Sequence, residues 1–232
     1  MTVRGASRVE SEVSAPLACR YFPPPDEGLD LAYVDDHLLV VMKPAGLLSV
    51  PGRGEDKQDC LLSRVRGRYP DALIVHRLDM ATSGLLVLAR NDAAHRALSR
   101  MFALRQVQKR YVALLAGRLE HASGIVDLPL ITDWPNRPRQ KVDVDLGKPS
   151  LTRYRLLSYD RAADTSRVSL EPETGRSHQL RVHMQSLGHP ILGDELYGSG
   201  AVASRLMLHA AALGFIHPMD QRPLSFVSEP EF

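Results

Sequence analysis

The apolar runs of this sequence are short, and their lengths limit the folds that the chain can adopt. The longest runs, 84–89 and 210–216, are far below the ~18 residues that a membrane helix needs. Hydrophobic residues make up 44% of the chain and charged residues 24%, which supports a sizeable core and excludes a wholly disordered chain. The two cysteines, Cys19 and Cys60, are too few and too far apart for a disulfide framework. We therefore expect a cytoplasmic protein without a membrane segment or disulfides.

Strand-like and helix-like segments alternate irregularly along the chain. Strands are predicted at 38–41, 85–89, 111–116, 206–216 and 224–227, and a hairpin at 153–159 and 167–171. Helices are predicted at 61–69, from Asn91 or Asp92 to Phe102, and from Thr174 or Ser177 to Leu187. Because no regular βα period appears, the predicted fold class is α+β, with a mixed, largely antiparallel sheet flanked by helices and loops.

The composition of the chain also suggests its organisation. Residues 1–28 end in three prolines and a glycine and are expected to form a poorly ordered lead. Residues 132–150 are rich in Pro, Asn, Lys and Arg and are expected to form a long loop. Because no repeat or internal linker follows residue 28, we expect a single domain over 29–232.

Charge is unevenly distributed although the net charge is only +2. The stretch 93–118 contains six Lys or Arg and no carboxylate, and Arg96 and Arg100 lie on the polar face of a predicted helix. This asymmetry suggests a polyanionic partner. A solvated basic face explains the charge pattern equally well.

Several common functional motifs are absent from the sequence. It contains no G-x-S-x-G, no G-x-x-x-x-G-K-[ST] and no G-x-G-x-x-G, so hydrolases, nucleotide triphosphatases and dinucleotide-binding enzymes lack their usual loops. His178 and His183 are five residues apart, which places them on different faces of a helix. We therefore expect no metal site.

The most informative stretch is HRLDMATSG at 76–84. It places one carboxylate, Asp79, between Arg77 and a Thr-Ser-Gly turn, directly before a buried strand. Taken alone, the pattern favours an Asx-type turn in which Asp79 only accepts backbone N–H groups. A catalytic carboxylate is the other interpretation.

The same string resembles the H-R-L-D-x-x-T-S-G signature of the RluA family of pseudouridine synthases. Other stretches of the chain resemble further motifs of the family and occur in the family's order: VVMKPAG at 40–46, KRY at 109–111, TGRSHQLRVH at 174–183, GHPILGD at 188–194 and LHA at 208–210. Residues 127–138 resemble the branch that modifies both tRNA and 23S rRNA. Nothing before Leu29 resembles the S4 RNA-binding domain that many relatives carry, and this branch also lacks it.

The resemblance implies a pseudouridine synthase fold and an RNA pseudouridine synthase activity. By subfamily the targets are uridine 32 of the tRNA anticodon stem-loop and uridine 746 of 23S rRNA. Pseudouridine formation breaks the N-glycosidic bond, turns the uracil and rejoins it through C5. Nothing is oxidised and no group is imported, so no cofactor or metal is required. The implied partner is RNA, and we expect a monomer that needs no protein partner.

The resemblance also implies roles for particular residues. The catalytic residues are Asp79 as the carboxylate, Arg181 as the cation that keeps it ionised, and Tyr111, which packs on the uracil and assists removal of the C5 proton. The other expected substrate contacts are His76, Arg77, Arg96, Arg100, Arg176 and Leu208. Among these, Leu208 would form an apolar floor for the base, and we hypothesise that Arg77 fills the space that the flipped uridine leaves.

Each assignment has a structural alternative. Tyr111 and Leu208 could be ordinary core residues, Arg181 could be a surface arginine on an amphipathic helix, and Arg77 could form a structural salt bridge. At the level of function, an RNA-binding or RNA-chaperone module without turnover stays open. A nucleoside or glycoside hydrolase is less favoured, because that chemistry usually uses two carboxylates and no second acid lies near the motif.

Overall fold

The computed structural model describes residues 21–198 and 203–232. These residues form twelve strands and three α-helices. The strands are β1 (Leu31–Val34), β2 (Leu38–Lys43), β3 (Leu73–Ile74), β4 (Ser83–Ala89), β5 (Gln108–Ala116), β6 (Ser123–Asp127), β7 (Leu130–Thr132), β8 (Gln140–Val142), β9 (Leu151–Asp160), β10 (Thr165–Pro172), β11 (Leu208–Ile216) and β12 (Pro223–Val227). The helices are α1 (Leu61–Arg68), α2 (Asp92–Ala103) and α3 (Gln179–Ser186).

Ten of the described strands form one sheet in the order β1-β2-β4-β11-β5-β10-β9-β6, with β3 paired to β4 and β12 paired to β11. Every pairing in this sheet is antiparallel except the one between β4 and β11. The remaining strands, β7 and β8, pair with each other as a separate hairpin. The predicted α+β class with a mixed, largely antiparallel sheet is confirmed.

The centre of the sheet is buried on both faces because α1 and α2 cover opposite sides of β2 and β4. Side chains alternate along a strand. One set of β2 and β4 residues packs with α1, and the alternate set packs with α2. The third helix, α3, packs on β5 and β10 further along the sheet through Leu180 and Met184. This two-sided burial explains why β4 is a continuous apolar run rather than an alternating one.

Gly84 allows the single parallel contact among the described strands. Its φ is +115°, and a Cβ at this position would lie 2.4 Å from the carbonyl oxygen of Ala210 on β11. Only glycine permits so close an approach of the two backbones. The contact brings the turn before β4 next to the start of β11, so Asp79 and Leu208 approach each other at one end of the sheet.

The helix boundaries agree with the sequence prediction for α2 and differ for α3. The Asn91 side chain accepts a hydrogen bond from the backbone N–H of Ala94 at 2.9 Å, as predicted for an N-cap. The predicted start of α3 at Thr174 or Ser177 is wrong, because the helix begins at Gln179 after His178 adopts a left-handed conformation. The Thr174 hydroxyl instead donates to the Gln179 side chain at 2.7 Å and ties the preceding loop to the helix.

Short strands account for most of the other differences. The segment 132–150 was expected to be a long loop, but it contains β8 and the end of β7. Strands β1, β3 and β6 were not predicted; they are two to five residues long and only partly buried, so they lack a continuous apolar run. The strand predicted to begin at residue 206 begins at Leu208.

The N-terminal lead expected over residues 1–28 falls largely outside the described residues, and its described part packs on the domain. Tyr21 is buried, donates from its hydroxyl to the carbonyl of Asp59 at 3.0 Å, and accepts from the N–H of Leu48 at 3.0 Å. Arg64 donates to the carbonyls of Pro24 and Pro25. These contacts join Tyr21, Pro24 and Pro25 to the folded unit, and the boundary at residue 28 and the single domain over 29–232 stay predictions. No helix in the described ranges is long and apolar enough to cross a membrane.

A hydrogen-bonded carboxylate joins the β1–β2 turn to the turn that follows β11. Asp35 accepts from the hydroxyl of Tyr33 at 2.6 Å and from the backbone N–H groups of His37 and Leu38 at 2.8 and 2.9 Å. Oδ2, the oxygen that accepts from Tyr33, also lies 2.9 Å from Nε2 of the buried His217. Burial acts to raise the pKa of Asp35, but these hydrogen bonds outweigh it and lower the pKa to about 2.

This geometry predicts that the Asp35→Asn variant loses stability in a pH-dependent way. A carboxylate with a depressed folded-state pKa contributes stability above its unfolded pKa of about 3.9, and the contribution disappears as the pH falls through about 2. We expect a loss of about 1–2 kcal/mol in the free energy of unfolding at neutral pH, after allowance for solvent screening. Urea unfolding should show the difference from wild type shrinking from about pH 4 to about pH 2. The control is Asp36→Asn, because Asp36 is the exposed neighbour of Asp35. A stability difference between Asp35→Asn and wild type that is constant over this pH range would contradict the prediction.

Candidate active site

Asp79 lies in a turn that is held in place by another loop. The N–H of Thr82 donates to the carbonyl of Asp79 at 3.1 Å and closes the turn. The carbonyl of Met80 accepts from the N–H of Gly46 at 2.9 Å and from the ammonium of Lys43 at 3.0 Å. The backbone around Asp79 is therefore fixed on the side of the loop that follows β2.

Lys43 is the buried centre of this support. Only 1% of its surface is exposed, and its Nζ also donates to the carbonyls of Pro44 and Leu47 at 2.8 and 2.7 Å. Burial lowers the pKa of Lys43 to about 7, although the negative charge of Asp79 acts in the opposite direction. Sequence reasoning assigned Lys43 no role, although a lysine at the end of an otherwise apolar strand was a visible signal.

The Asp79 carboxylate faces a cation. Its Oδ2 lies 3.4 Å from Nη1 of Arg181 and 4.0 Å from Nε2 of His178, and about a quarter of the side chain is exposed. The alternative of a turn residue that only accepts backbone N–H groups is not supported, since none of the hydrogen bonds to this side chain in the described region comes from the backbone. The carboxylate keeps solvent access beside a guanidinium.

Arg181 is buried, so the alternative of a surface arginine is wrong. Its Nε and Nη2 both donate to the carboxylate of Asp194 at 2.7 Å in a bidentate pair. Burial acts to lower the pKa of Arg181, but the charges and hydrogen bonds of Asp194 and the charge of Asp79 outweigh it and raise the pKa above its usual value. The guanidinium therefore stays charged.

Asp194 is the second carboxylate of the site, and sequence reasoning gave it no role. Its side chain is 0% exposed. Besides Arg181, it accepts from the backbone N–H groups of Leu196 and Tyr197, both at 3.0 Å. Burial alone would raise the pKa of Asp194, but the bonds from Arg181 and these N–H groups lower it. It is an ionised anchor for Arg181 with no access for a substrate.

Tyr197 connects this ion pair with His178 and with the β7–β8 hairpin. Its hydroxyl accepts from the N–H of Gln140 at 2.7 Å and lies 2.7 Å from Nδ1 of His178. When the hydroxyl donates to Nδ1, the ring proton of His178 is on Nε2 and points towards Asp79. Burial lowers the pKa of His178, so the imidazole is neutral at pH 7. The ring of Tyr197 also lies against the Arg181 guanidinium, 5.1 Å from its centroid.

A cavity of about 100 Å³ opens above Asp79, and we call it the Asp79 cavity. Six of the predicted site residues line it: Arg77, Asp79, Tyr111, Arg176, Arg181 and Leu208. Leu208 is 3% exposed and supplies an apolar wall, so it serves both the core and the cavity. Burial and the charge of Asp79 raise the pKa of Tyr111 far above its usual value, so its phenol stays protonated.

Three predicted contacts lie elsewhere. Arg96 and Arg100 are exposed on α2, and neither lines the Asp79 cavity. The His76 ring stacks on Phe102, and its Nε2 accepts from the N–H of Val87 at 3.1 Å. His76 lines a second cavity of about 430 Å³ beside the first. His76 is three residues before Asp79 in sequence, but its ring contacts Phe102 and Val87 and does not line the Asp79 cavity.

The histidines of the 174–183 motif have structural partners. His183 is fully buried and lies 2.9 Å from the hydroxyl of Thr152 and 3.0 Å from the carbonyl of Leu128. His183 is therefore a core residue, and it does not line the Asp79 cavity. Among the described residues, no group of three or more His, Cys, Asp or Glu is arranged to hold a metal ion.

Sequence comparison places these residues in a known family. The family model described as RNA pseudouridylate synthase matches residues 37–186. The dual-specificity RNA pseudouridine synthase RluA of Escherichia coli K12 is 53% identical over 216 residues, which cover 91% of this chain and 98% of the relative. The protein of the same name from Yersinia pestis is 52% identical over 203 residues and covers 86% and 98% of the two chains.

Solved structures agree with the sequence comparison. Human RNA pseudouridylate synthase domain containing 1 superposes with a TM-score of 0.76 at 33% identity, over 91% of this chain and 87% of that one. Human RNA pseudouridylate synthase domain containing 4 shares the fold, with a TM-score of 0.70 at 24% identity over 87% and 89%. The motifs that carry the RluA resemblance thus stand in a matching fold, around a single accessible carboxylate. The chain belongs to the RNA pseudouridylate synthase family and is an RNA pseudouridine synthase of the RluA type.

Proposed function

We propose that this enzyme converts uridine to pseudouridine in hairpins of both tRNA and 23S rRNA, at uridine 32 and uridine 746, with Asp79 as the catalytic carboxylate. The observation that carries the proposal is the position of Asp79, which is partly exposed in a small cavity and lies 3.4 Å from a buried guanidinium. The dual-specificity name of the relatives supports the two RNA classes.

The chemistry needs one ionised carboxylate next to the ribose and the uracil. Asp79 can attack C1′, add to C6 of the uracil, or take the C2′ proton, and each route starts from the ionised form. Nη1 of Arg181 lies 3.4 Å from Oδ2 of Asp79 and supplies a positive charge beside it. Asp194 cannot share the task, because its side chain is fully buried and its oxygens already accept four hydrogen bonds. A two-carboxylate hydrolysis is disfavoured for the same reason.

Tyr111 and Leu208 suit the uracil ring. Both line the Asp79 cavity, one with a flat aromatic face and the other with an aliphatic wall. The phenol of Tyr111 is protonated, so we assign it to packing against the uracil rather than to a resting role as a base. The rim carries Arg77 and Arg176, both exposed, in positions to meet the RNA backbone.

We also propose that the enzyme acts in the cytoplasm as a monomer, with RNA as its only required partner. The side chains that the proposed reaction uses, Asp79, Tyr111, Arg181 and Leu208, are all supplied by one chain. Arg96 and Arg100, exposed on α2, are proposed to contact phosphates at a distance from the cavity.

The first prediction concerns Asp79. Asp79→Asn keeps the shape of the side chain but removes the charge that every route needs, so pseudouridine formation should fall by about a thousandfold or more. RNA affinity should stay within a few fold of wild type, because the amide can still occupy the cavity. Because pseudouridine and uridine have the same mass, the hairpin RNA is labelled with a carbodiimide after incubation with excess enzyme, and the labelled product is then measured by mass spectrometry. Formation at a wild-type rate, with deamidation excluded, would remove Asp79 from the catalytic role.

The second prediction separates the catalytic and structural effects of Arg181. Arg181→Met leaves Asp194 buried without the two hydrogen bonds from the guanidinium. We therefore expect a loss of about 3–5 kcal/mol in the free energy of unfolding together with a loss of activity. The double variant with Asp194→Asn should regain most of the stability, because no unpaired buried charge remains. It should not regain activity, because Asp79 still lacks its cation. Activity recovering with stability would make Arg181 purely structural.

The third prediction tests whether Arg77 fills the space of the flipped uridine. Its side chain is exposed and forms no hydrogen bond or ion pair with another described residue, which supports a role towards RNA over a structural salt bridge. Because unstacking costs a few kcal/mol, Arg77→Ala should slow modification of a hairpin about tenfold or more and barely affect a short unstructured RNA with the same uridine. The melting temperature of the Arg77→Ala protein shows whether the substitution destabilises the fold. Equal losses on both RNAs, or a large drop in melting temperature, would favour the structural role.

A further inference from the structure

A second cavity of about 430 Å³, which we call the flanking cavity, adjoins the Asp79 cavity and is about four times as large. The two cavities share one wall, formed by Arg77, Lys109, Tyr111, Thr174, Gly175 and Arg176. The far side of the flanking cavity contains His76, Phe102 and Arg105. A ligand that extends from one cavity into the other would have to pass this shared wall.

The flanking cavity has an excess of positive charge. Its lining contains four cations, Arg77, Arg105, Lys109 and Arg176. Its one carboxylate, Glu173, already accepts from Arg153 at 2.7 and 2.8 Å. The lining therefore favours an anionic ligand.

Lys109 is the cation in the shared wall. It lies two residues before Tyr111 on β5, so both side chains point to the same face of the sheet. It is half-buried, and its ammonium forms no hydrogen bond or ion pair with the residues in the described ranges. Its Nζ lies close to Gly175: a Cβ at that position would be 4.0 Å away, and glycine leaves this space open. Burial and the charge of Arg105 both lower the pKa of Lys109, and an anion at this point would relieve both effects.

The far side of the flanking cavity carries an uncharged aromatic pair beside Arg105. The rings of His76 and Phe102 stack with centroids 4.4 Å apart and planes 22° from parallel. Burial, with a smaller effect of Lys109, lowers the pKa of His76 to about 3, so the imidazole is neutral. A neutral aromatic pair next to a cluster of cations is the combination that binds a base beside its phosphate.

We propose that the flanking cavity binds the nucleotide adjacent to the target uridine in the same RNA strand, with the intervening phosphodiester against Lys109 and the neighbouring base against Phe102. This inference rests on the proposed function, because it takes the uridine to occupy the Asp79 cavity. The fourfold larger volume suits a base with its ribose, and the shared wall is where the linkage between two nucleotides must cross. Lys109 thereby sets the distance between the two nucleotides.

Binding of a hairpin RNA to the full chain tests the phosphate contact. Three RNAs are compared: the ordinary hairpin and two with one neutral methylphosphonate linkage, on the 5′ or the 3′ side of the target uridine. On the ordinary hairpin, Lys109→Met should weaken affinity about tenfold and reduce the slope of log affinity against log salt by about 1. On one of the two neutral-linkage RNAs this loss should disappear, because the charge that Lys109 contacts is already gone. Lys109→Arg, which keeps the charge, should bind within a few fold of wild type.

Arg161→Met is the matched control, since Arg161 is exposed in the turn that joins β9 and β10, far along β10 from the site. Its effect on affinity should be the same for all three RNAs. A loss for Lys109→Met that is equal on all three RNAs would overturn this phosphate contact and would instead fit a contact between Lys109 and another phosphate of the hairpin. The absence of any loss on the ordinary hairpin would also overturn it. Melting temperatures of both variants identify any loss through unfolding.

The base contact is tested in the same way with Phe102→Leu, which keeps an apolar side chain against the core. It should weaken binding of the ordinary hairpin several fold, and should have no effect on a hairpin whose neighbouring nucleotide is abasic. Equal losses on both RNAs would overturn the base contact. All these measurements are of binding, so they hold whether or not turnover occurs. Pseudouridine formation by the wild-type enzyme is measured separately, and its absence would refute the proposed function without deciding the flanking cavity.

Discussion

The site depends on one buried ion pair between Arg181 and Asp194. Asp194 accepts two bonds from the guanidinium and two from backbone N–H groups, so its charge is fully compensated without solvent. Arg181 uses Nε and Nη2 for this pair and presents Nη1 to Asp79 at 3.4 Å. A buried charge pair is stable only when its hydrogen-bonding groups are satisfied in this way. Asp194 thus fixes the cation that lies beside Asp79, and leaves Asp79 only loosely bonded.

The backbone of Asp79 is fixed independently of its side chain. Lys43 and Gly46 hold the carbonyl of Met80, and Gly84 draws the following strand against β11. The side chain can therefore stay partly exposed and weakly paired while these contacts hold the backbone around it. A reactive group held by rigid elements, with a second set of residues supporting the first, needs little reorganisation when the substrate binds.

Much of the site was predictable because each motif carries its own residue into a position that the sheet determines. Asp79 precedes β4, Tyr111 is on β5 and Leu208 begins β11, and these strands are neighbours. Asp194 was not identified, because its pairing with Arg181 spans 13 residues and follows no helix or strand period. Strand β6 escaped prediction for a different reason: its short, half-exposed pattern gives no apolar signal.

The β7–β8 hairpin shows why the parts of this site cannot be varied independently. Arg139, in the loop of the hairpin, lies 5.4 Å from the centroid of the Tyr197 ring, and Gln140 donates to the Tyr197 hydroxyl. The same ring contacts Arg181, and the same hydroxyl contacts His178. The segment that resembles the dual-specificity branch is therefore packed onto Tyr197, which borders the Arg181–Asp194 ion pair. A change in that hairpin that moves Tyr197 also moves the surroundings of Arg181, and with them the geometry around Asp79.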